Sequence, residues 1–306
     1  METNELKFKS GFVSIIGLTN AGKSTFLNAI IKENLAITSR KPQTTRYNLK
    51  GIYNDKDSQI IFVDTPGIHK KKNKLDEFMD KSVEHSINDI DLLILIADIN
   101  TYRDDNYDSI NSILKKVKVK TILLINKCDA YDGSLEEAKG EILKKFIEGF
   151  SFEKVIFISA FKNKNIDTAL DEIKNCLNVG PLYYDREDIT DEPEKKIIAD
   201  MIRQQCLYKI DKEVPHGIVV LVDRMKMSKA KCMNIDATLV CEKESHKAII
   251  IGKNGSMIKN IGTGARIAIE KFIKEKVNLK INVIVRNNWR DENTMLINYG
   301  YDIKAI

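Results

Sequence analysis

Residues 12–16 form an apolar run, an amphipathic stretch begins at Lys23, and between them the chain reads Gly17-Leu18-Thr19-Asn20-Ala21-Gly22-Lys23-Ser24. No other feature narrows the fold as much. A G-x-x-x-x-G-K-S string in that position is a turn from a strand end into a helix start. Its glycines let backbone N–H groups close on a phosphate, and the helix N-terminus adds positive potential. Lys23 then faces β- and γ-phosphate oxygens, and the Ser24 hydroxyl faces Mg²⁺. Such a loop asks for a βαβ architecture around it.

The rest of the first half meets that demand. Apolar runs at 12–16, 59–63, 92–97, 121–125 and 155–158 alternate with stretches of helical length and period at 23–32, 76–88, 104–117, 135–149 and 166–177, and 51–54 adds an edge strand. Strands that are apolar at nearly every position are covered on both faces, so the spacing predicts an α/β domain with a mostly parallel sheet. Near 178 the alternation stops. Gly180-Pro181 and six acidic residues against one Arg at 185–194 lead to Asp191-Glu192-Pro193, a helix start with acidic residues by its first turn. We expect a nucleotide-binding domain at 1–180, an acidic linker at 181–193 and a second domain at 194–306. There the order becomes helix 194–210, strand 217–224, strand 235–241, helix 245–251, helix 256–272 and strand 279–285, an αββααβ module of α+β type.

Composition excludes other classes. Hydrophobic residues at 43% and charged residues at 30% fit a globular chain and not a disordered one. No apolar run reaches the roughly 20 residues of a membrane span. The first ten residues, with Lys7 and Lys9, lack a signal-peptide core, so a cytoplasmic location is expected. Cys128, Cys176, Cys206, Cys232 and Cys241 form no CxxC pair, and His69, His85, His216 and His246 have no metal-ligand spacing. Neither a disulfide framework nor a zinc site is expected.

Three further motifs follow predicted strands. Asp64-Thr65-Pro66-Gly67 puts a carboxylate where it can hold Mg²⁺ through water, and the Gly67 N–H where it can meet a γ-phosphate. Asn126-Lys127-Cys128-Asp129 selects the base. The Asp129 carboxylate accepts the N1 and N2 protons of guanine, a donor pair adenine lacks, and Lys127 can lay its stem on the base plane. Ser159-Ala160 completes the pocket through backbone contacts to the guanine carbonyl. The nucleotide site expected is thus Gly17, Thr19, Asn20, Ala21, Gly22, Lys23, Ser24, Thr25, Asp64, Thr65, Pro66, Gly67, Asn126, Lys127, Asp129, Ser159 and Ala160. Its nucleotide is GTP or GDP with Mg²⁺ as cofactor.

In the second domain, Gly252-Lys253-Asn254-Gly255 joins two predicted helices inside an I-I-G-x-x-G-x-x-I frame. A KH module clamps about four nucleotides of single-stranded nucleic acid on such a loop. Residues 243–290 carry eleven Lys and Arg against three Glu, and Lys247, Lys253, Lys259 and Arg266 can line a phosphate track with Gly252, Asn254 and Gly255. Trp289 reads as a packing residue in preference to a base-stacking one. Lys70-Lys71-Lys72 reads as solvated.

With these four nucleotide motifs, Thr38-Ser39-Arg40-Lys41-Pro42-Gln43-Thr44-Thr45-Arg46 as a first switch loop, and the KH pattern after them, the chain resembles the Era-like GTPase family over nearly its whole length. The resemblance implies a P-loop GTPase domain followed by a type II KH domain. It implies GTP hydrolysis with Lys23, Thr45, Asp64 and Gly67 as the catalytic set, and Ser24 and Thr45 as Mg²⁺ ligands, Thr44 being the alternative to Thr45. It implies a potassium ion at Asn20, a monomer bound to the 3′ region of 16S rRNA during small-subunit assembly, and peripheral association with the inner membrane. Ile68 stands where Ras-like proteins place the glutamine that orients water, so slow intrinsic hydrolysis is expected. Thr19 replaces the family's usual proline and Asn163 a glycine; Asn tolerates the left-handed backbone that glycine would adopt. The residues alone also suit a signalling GTPase whose basic domain is a scaffold or membrane-surface anchor.

Overall fold

The computed structural model describes residues 8–69, 71–229 and 231–305; Lys7 and Lys70 lie outside the described residues. The chain divides into two compact units. One comprises Met1–Ala36, Thr45–Lys70 and Met79–Asp191, the other Ile37–Thr44, Lys71–Phe78 and Glu192–Ile306.

In the first unit the order is β1 (Lys9–Ile16), α1 (Lys23–Ile31), β2 (Leu49–Asn54), β3 (Ser58–Asp64), α2 (Lys74–His85), β4 (Leu92–Asp98), α3 (Asp108–Leu114), β5 (Thr121–Asn126), α4 (Leu135–Leu143), β6 (Lys154–Phe157) and α5 (Ile166–Cys176); the start of α2, to Phe78, groups with the second unit. The strands form one sheet in the order β2-β3-β1-β4-β5-β6, parallel except for β2 against β3. Burial explains the apolar runs, since every residue of β3, β4 and β5 is buried. Because the parallel strands point one way, the loops after β1, β3, β4, β5 and β6 emerge at one edge, where open α/β sheets bind ligands.

Two helices are shorter than their periodicity predicts. Before α3, Thr101 Oγ1 donates to Asp105 Oδ2 at 2.8 Å and Asn106 Oδ1 accepts the Asp108 N–H at 2.7 Å, so a side-chain-bonded turn replaces the helix expected from 104. After Leu143 the chain tightens, with Lys145 N–H bonded to Ile142 O at 3.0 Å and Phe146 N–H to Leu143 O at 3.2 Å. Asn111 holds that end, its amide donating to Lys145 O at 3.0 Å and accepting from Ile147 N–H at 3.2 Å. Local side-chain bonds of this kind compete with helix, and periodicity does not register them.

The acidic stretch expected as a linker is tied along the sheet edge instead. Gln59 Oε1 accepts the N–H groups of Tyr183 at 2.7 Å and Tyr184 at 3.0 Å, Ile52 N–H donates to Ile189 O at 2.9 Å, and Lys50 pairs with Asp191 at 2.7 Å. An edge strand offers unpaired main-chain groups, and this segment satisfies some of them.

The second unit contains α6 (Glu194–Lys209), β7 (Val219–Met227), β8 (Cys232–Cys241), α7 (Glu244–Ile251), α8 (Ser256–Ile273), β9 (Lys276–Val285) and α9 (Asn293–Asn298), the last not expected from the sequence. Its sheet runs β7-β8-β9, with β7 antiparallel and β9 parallel to β8. Helices α6 and α8 meet closely at Gly264, where a Cβ would lie 2.2 Å from Gln205 Oε1. Trp289 is fully buried, donates its indole N–H to Gly217 O at 2.9 Å and stacks on Tyr301, which confirms the packing reading.

Candidate functional site

At the end of β1 the phosphate loop is held by contacts that leave little freedom. Gly22 sits at φ +102°, and a Cβ there would be 2.1 Å from Asn126 Nδ2, so only glycine fits. Asn126, itself buried, donates to Ala21 O at 2.8 Å and accepts the Ala160 N–H at 3.0 Å. One amide thus ties the loops after β1, β5 and β6 together. The Ala160 N–H is thereby held against the same side chain that closes on the phosphate loop. Ser159 is fully buried and its hydroxyl accepts the Lys162 N–H at 3.1 Å, so it shapes the same loop.

Lys23, the first residue of α1, is buried and donates to Gly17 O at 3.1 Å and Leu18 O at 3.0 Å. Burial pushes its ammonium down to about 8, against the attraction of Asp64. Asp64, at the end of β3, is fully buried, and burial pushes its carboxyl up to about 6, against Lys23 and the hydroxyls of Ser24 and Thr45. Three oxygens converge here. Ser24 Oγ lies 2.6 Å from Asp64 Oδ2 and 2.8 Å from Thr45 Oγ1, which is 3.3 Å from the same carboxylate oxygen. Asp64 Oδ1 is buried without a hydrogen-bond partner. Hard oxygen donors around a half-satisfied buried carboxylate fit a hydrated Mg²⁺. Thr44 Oγ1 is turned the other way, donating to Lys41 O at 2.7 Å.

The D-T-P-G segment closes over this end. Thr65 Oγ1 donates to Ile15 O at 2.7 Å, Pro66 is buried, and a Cβ on Gly67 would come within 2.7 Å of Thr19. Ile68 is buried in the apolar cluster with Ile16, Leu95 and Val83, so its side chain turns inward. Asn20 is exposed at φ +62° and Thr25 half-buried in the first turn of α1. Asn163, at φ +53°, takes the left-handed backbone expected where the family has glycine.

At the base end, Lys127 lies at φ +66° and its Nζ donates to Asp98 Oδ2 at 2.6 Å, while Asp129 is exposed. Asp98 was not anticipated. Its signal in the sequence is an apolar strand ending in a carboxylate, and its effect is to anchor the Lys127 ammonium.

In the second unit, Gly252 at φ +72° and Gly255 at φ +75° bracket exposed Lys253 and Asn254 between α7 and α8. Lys247 is half-buried on α7 and Lys259 exposed on α8. Arg266 does not stand ready in the same way, because it is paired with Glu270 at 3.2 Å one helical turn on.

Family models match at residues 12–127, described as a 50S ribosome-binding GTPase, and at residues 213–290, described as a KH domain. GTPase Era of Thermoanaerobacter sp. (strain X514) is 45% identical over 296 residues, covering 96% of this chain and 97% of the relative. The chain belongs to the GTPase Era family. Era of Clostridium tetani (strain Massachusetts / E88) is 46% identical over 297 residues, covering 96% of this chain and 99% of that one. A crystal structure of Era with MgGDPNP and nucleotides 1506–1542 of 16S ribosomal RNA matches at TM-score 0.91 and 30% identity, covering 96% of this chain and 99% of that chain. A single-substitution variant of Aquifex aeolicus Era bound to GDP.AlF4⁻ matches at TM-score 0.89 and 31% identity, covering the same shares. Like the rest of the Era family, this chain is a GTPase joined to a KH domain.

Proposed function

We propose that this GTPase uses its nucleotide state to control binding of the 3′ region of 16S rRNA by the KH unit, acting as an assembly factor for the small ribosomal subunit. The observation that carries the reading is the meeting of Ser24 Oγ, Thr45 Oγ1 and Asp64 Oδ2 within 3.3 Å, in a chain that also presents the Gly252–Gly255 loop. The Era structure with MgGDPNP and 16S nucleotides 1506–1542 supports the same pairing of ligands.

In this reading Ser24 and Thr45 hold the metal directly and Asp64 holds it through water. When bound, Mg²⁺ neutralises charge on the β- and γ-phosphate oxygens. Lys23 exchanges two carbonyl partners for phosphate oxygens, whose charge restores its proton affinity. The Gly67 N–H meets the γ-phosphate. Asp129 selects guanine, and Lys127, its ammonium anchored on Asp98, covers the ring. Ile68 offers attacking water no hydrogen bond, so turnover is slow until another group assists; Asn20 would hold a potassium ion whose charge would supply part of that assistance. Lys247, Lys253 and Lys259 meet phosphates of the RNA, and Gly252, Asn254 and Gly255 let its backbone approach. In this reading the protein works as a monomer in the cytoplasm with peripheral contact to the membrane. No helix among the described residues is long and apolar enough to cross one.

Filter binding to an RNA ending in the small-subunit 3′ sequence, with GTP analogue or GDP and at several salt concentrations, tests the reading. Nucleotide-dependent, sequence-selective binding is expected; equal binding of a scrambled RNA in both states sinks it. Equal GTP turnover in sodium and potassium buffers removes the potassium ion alone.

A further inference from the structure

Residues Ile37–Thr44 of the first switch loop group with the second unit, and the contacts that hold them there are specific. Arg203, on α6, is 2% exposed, and its guanidinium donates through Nη2 to Thr44 O and through Nη1 to Gln43 O at 3.4 Å. Its Nε donates to Asp200 Oδ1 at 3.0 Å, which orients the fork one helical turn away. Gln204, the next residue, donates to Thr38 O at 3.1 Å. From the α2 side, fully buried Asp76 accepts Gln43 Nε2 at 2.8 Å and the Lys72 N–H at 2.8 Å. Gln43 itself lies at φ +58°, a conformation a non-glycine residue keeps only when its surroundings impose it. The peptide segment immediately before Thr45 is therefore gripped at both carbonyls and at a side chain.

We propose that Arg203 is a positioning residue for GTP turnover, with Asp200 and Asp76 in support: by fixing the carbonyls of Gln43 and Thr44 it holds the Thr45 hydroxyl at Ser24 and Asp64. Nothing in the motifs assigns α6 a part in the nucleotide reaction. A guanidinium suits the task because its planar fork engages two carbonyls and a carboxylate at once, which an ammonium cannot do. Loss of the guanidinium removes its hydrogen bonds to Gln43 O and Thr44 O and loosens the segment that leads into Thr45. Only the triphosphate state uses Thr45 as a ligand in this scheme, so the effect is selective for nucleotide.

The inference rests on the reading of Thr45 as a Mg²⁺ ligand, and the experiment separates the two. Half-saturating Mg²⁺ for turnover and for binding of a non-hydrolysable GTP analogue is measured on the full chain for wild type, Arg203→Ala, Arg203→Lys, Asp200→Asn and Thr45→Ala, with GDP affinity in parallel. Arg203→Ala is expected to raise half-saturating Mg²⁺ about ten-fold while GDP affinity stays within about two-fold, and Arg203→Lys to recover part of the loss. If Arg203→Ala does not fold, Asp200→Asn reads the same clamp, with an expected rise of about two- to three-fold. Unchanged Mg²⁺ dependence in the folded variants, or equal losses for GDP and the GTP analogue, overturns the proposal. A Thr45→Ala protein with normal Mg²⁺ dependence overturns the reading beneath it; a shift there without one at Arg203 overturns the clamp alone.

Discussion

Two glycine loops, Gly17–Ser24 and Gly252–Gly255, each lead into a helix N-terminus, yet they are built in opposite ways. Around the first, a Cβ on Gly22 would strike Asn126, the lysine is buried, and a carboxylate is held with one oxygen unpartnered. Around the second, Lys253 and Asn254 are exposed, and a Cβ on Gly255 would meet nothing within 4 Å. A small, multiply charged ligand rewards enclosure, because desolvated donors act strongly and need no rearrangement. A polymer backbone needs an open edge and a few mobile charges. The first loop therefore carries buried charge in the protein alone, whereas the second sets exposed charge on a backbone at positive φ.

The sharpest way to break this comparison is to add one methyl group to each loop. Gly22→Ala is expected to weaken binding of GTP and GDP by about 100-fold or more, since Asn126 is held between Ala21 O and the Ala160 N–H and cannot yield. Gly255→Ala meets only the backbone penalty of φ +75°, about 1–2 kcal/mol, and is expected to cost RNA affinity about ten-fold without touching nucleotide binding. Titration calorimetry with each ligand decides it; equal effects at the two sites would erase the contrast.

Buried charge provides a second comparison. In the nucleotide-free protein Asp64 has its carboxyl raised to about 6, so the folded state keeps a proton that the unfolded chain releases near pH 4. Stability is therefore lost as pH rises through that interval. Asp64→Asn stays neutral, and at pH 7 it is expected to be more stable than wild type by about 1–3 kcal/mol, with the difference fading below pH 4. GTP turnover is expected to fall at least about 100-fold in the same variant. Urea melts at pH 4 and pH 7 measure the first effect, and a variant less stable at pH 7 would show that the carboxylate supports the fold instead of straining it.

The smallest effect belongs to the open loop. Lys253→Ala is expected to lower RNA affinity modestly and uniformly across sequences, and to reduce the slope of log affinity against log salt by about 1. Arg266→Ala is expected to change that slope less, because Glu270 already pairs with the guanidinium. A larger change at Arg266 than at Lys253 would move the phosphate track off the loop and onto the face of α8.

Much of this molecule was legible in the chain. Parallel strands buried on both faces read as apolar runs, and every predicted strand is present, although several extend by a few residues. Helices α3 and α4 were overestimated because Asn106 and Asn111 stop them with side-chain bonds, which periodicity does not contain. The acidic stretch read as a linker because charge suggests solvation, whereas its main chain is bonded to the sheet edge through Gln59 and Ile52.

What the sequence determined by itself was the pair of glycine loops, their helix starts and the N-K-C-D string after β5, because each is a contiguous string whose chemistry depends on local backbone geometry. Which threonine meets Ser24, which carboxylate pairs with Lys127 and which arginine grips the first switch loop were decided by tertiary structure alone. Arg203 and Thr44 are 159 residues apart, and Lys127 and Asp98 are 29 apart. Contacts across such separations depend on how sheet and helices bring distant side chains together, and no local spacing encodes them.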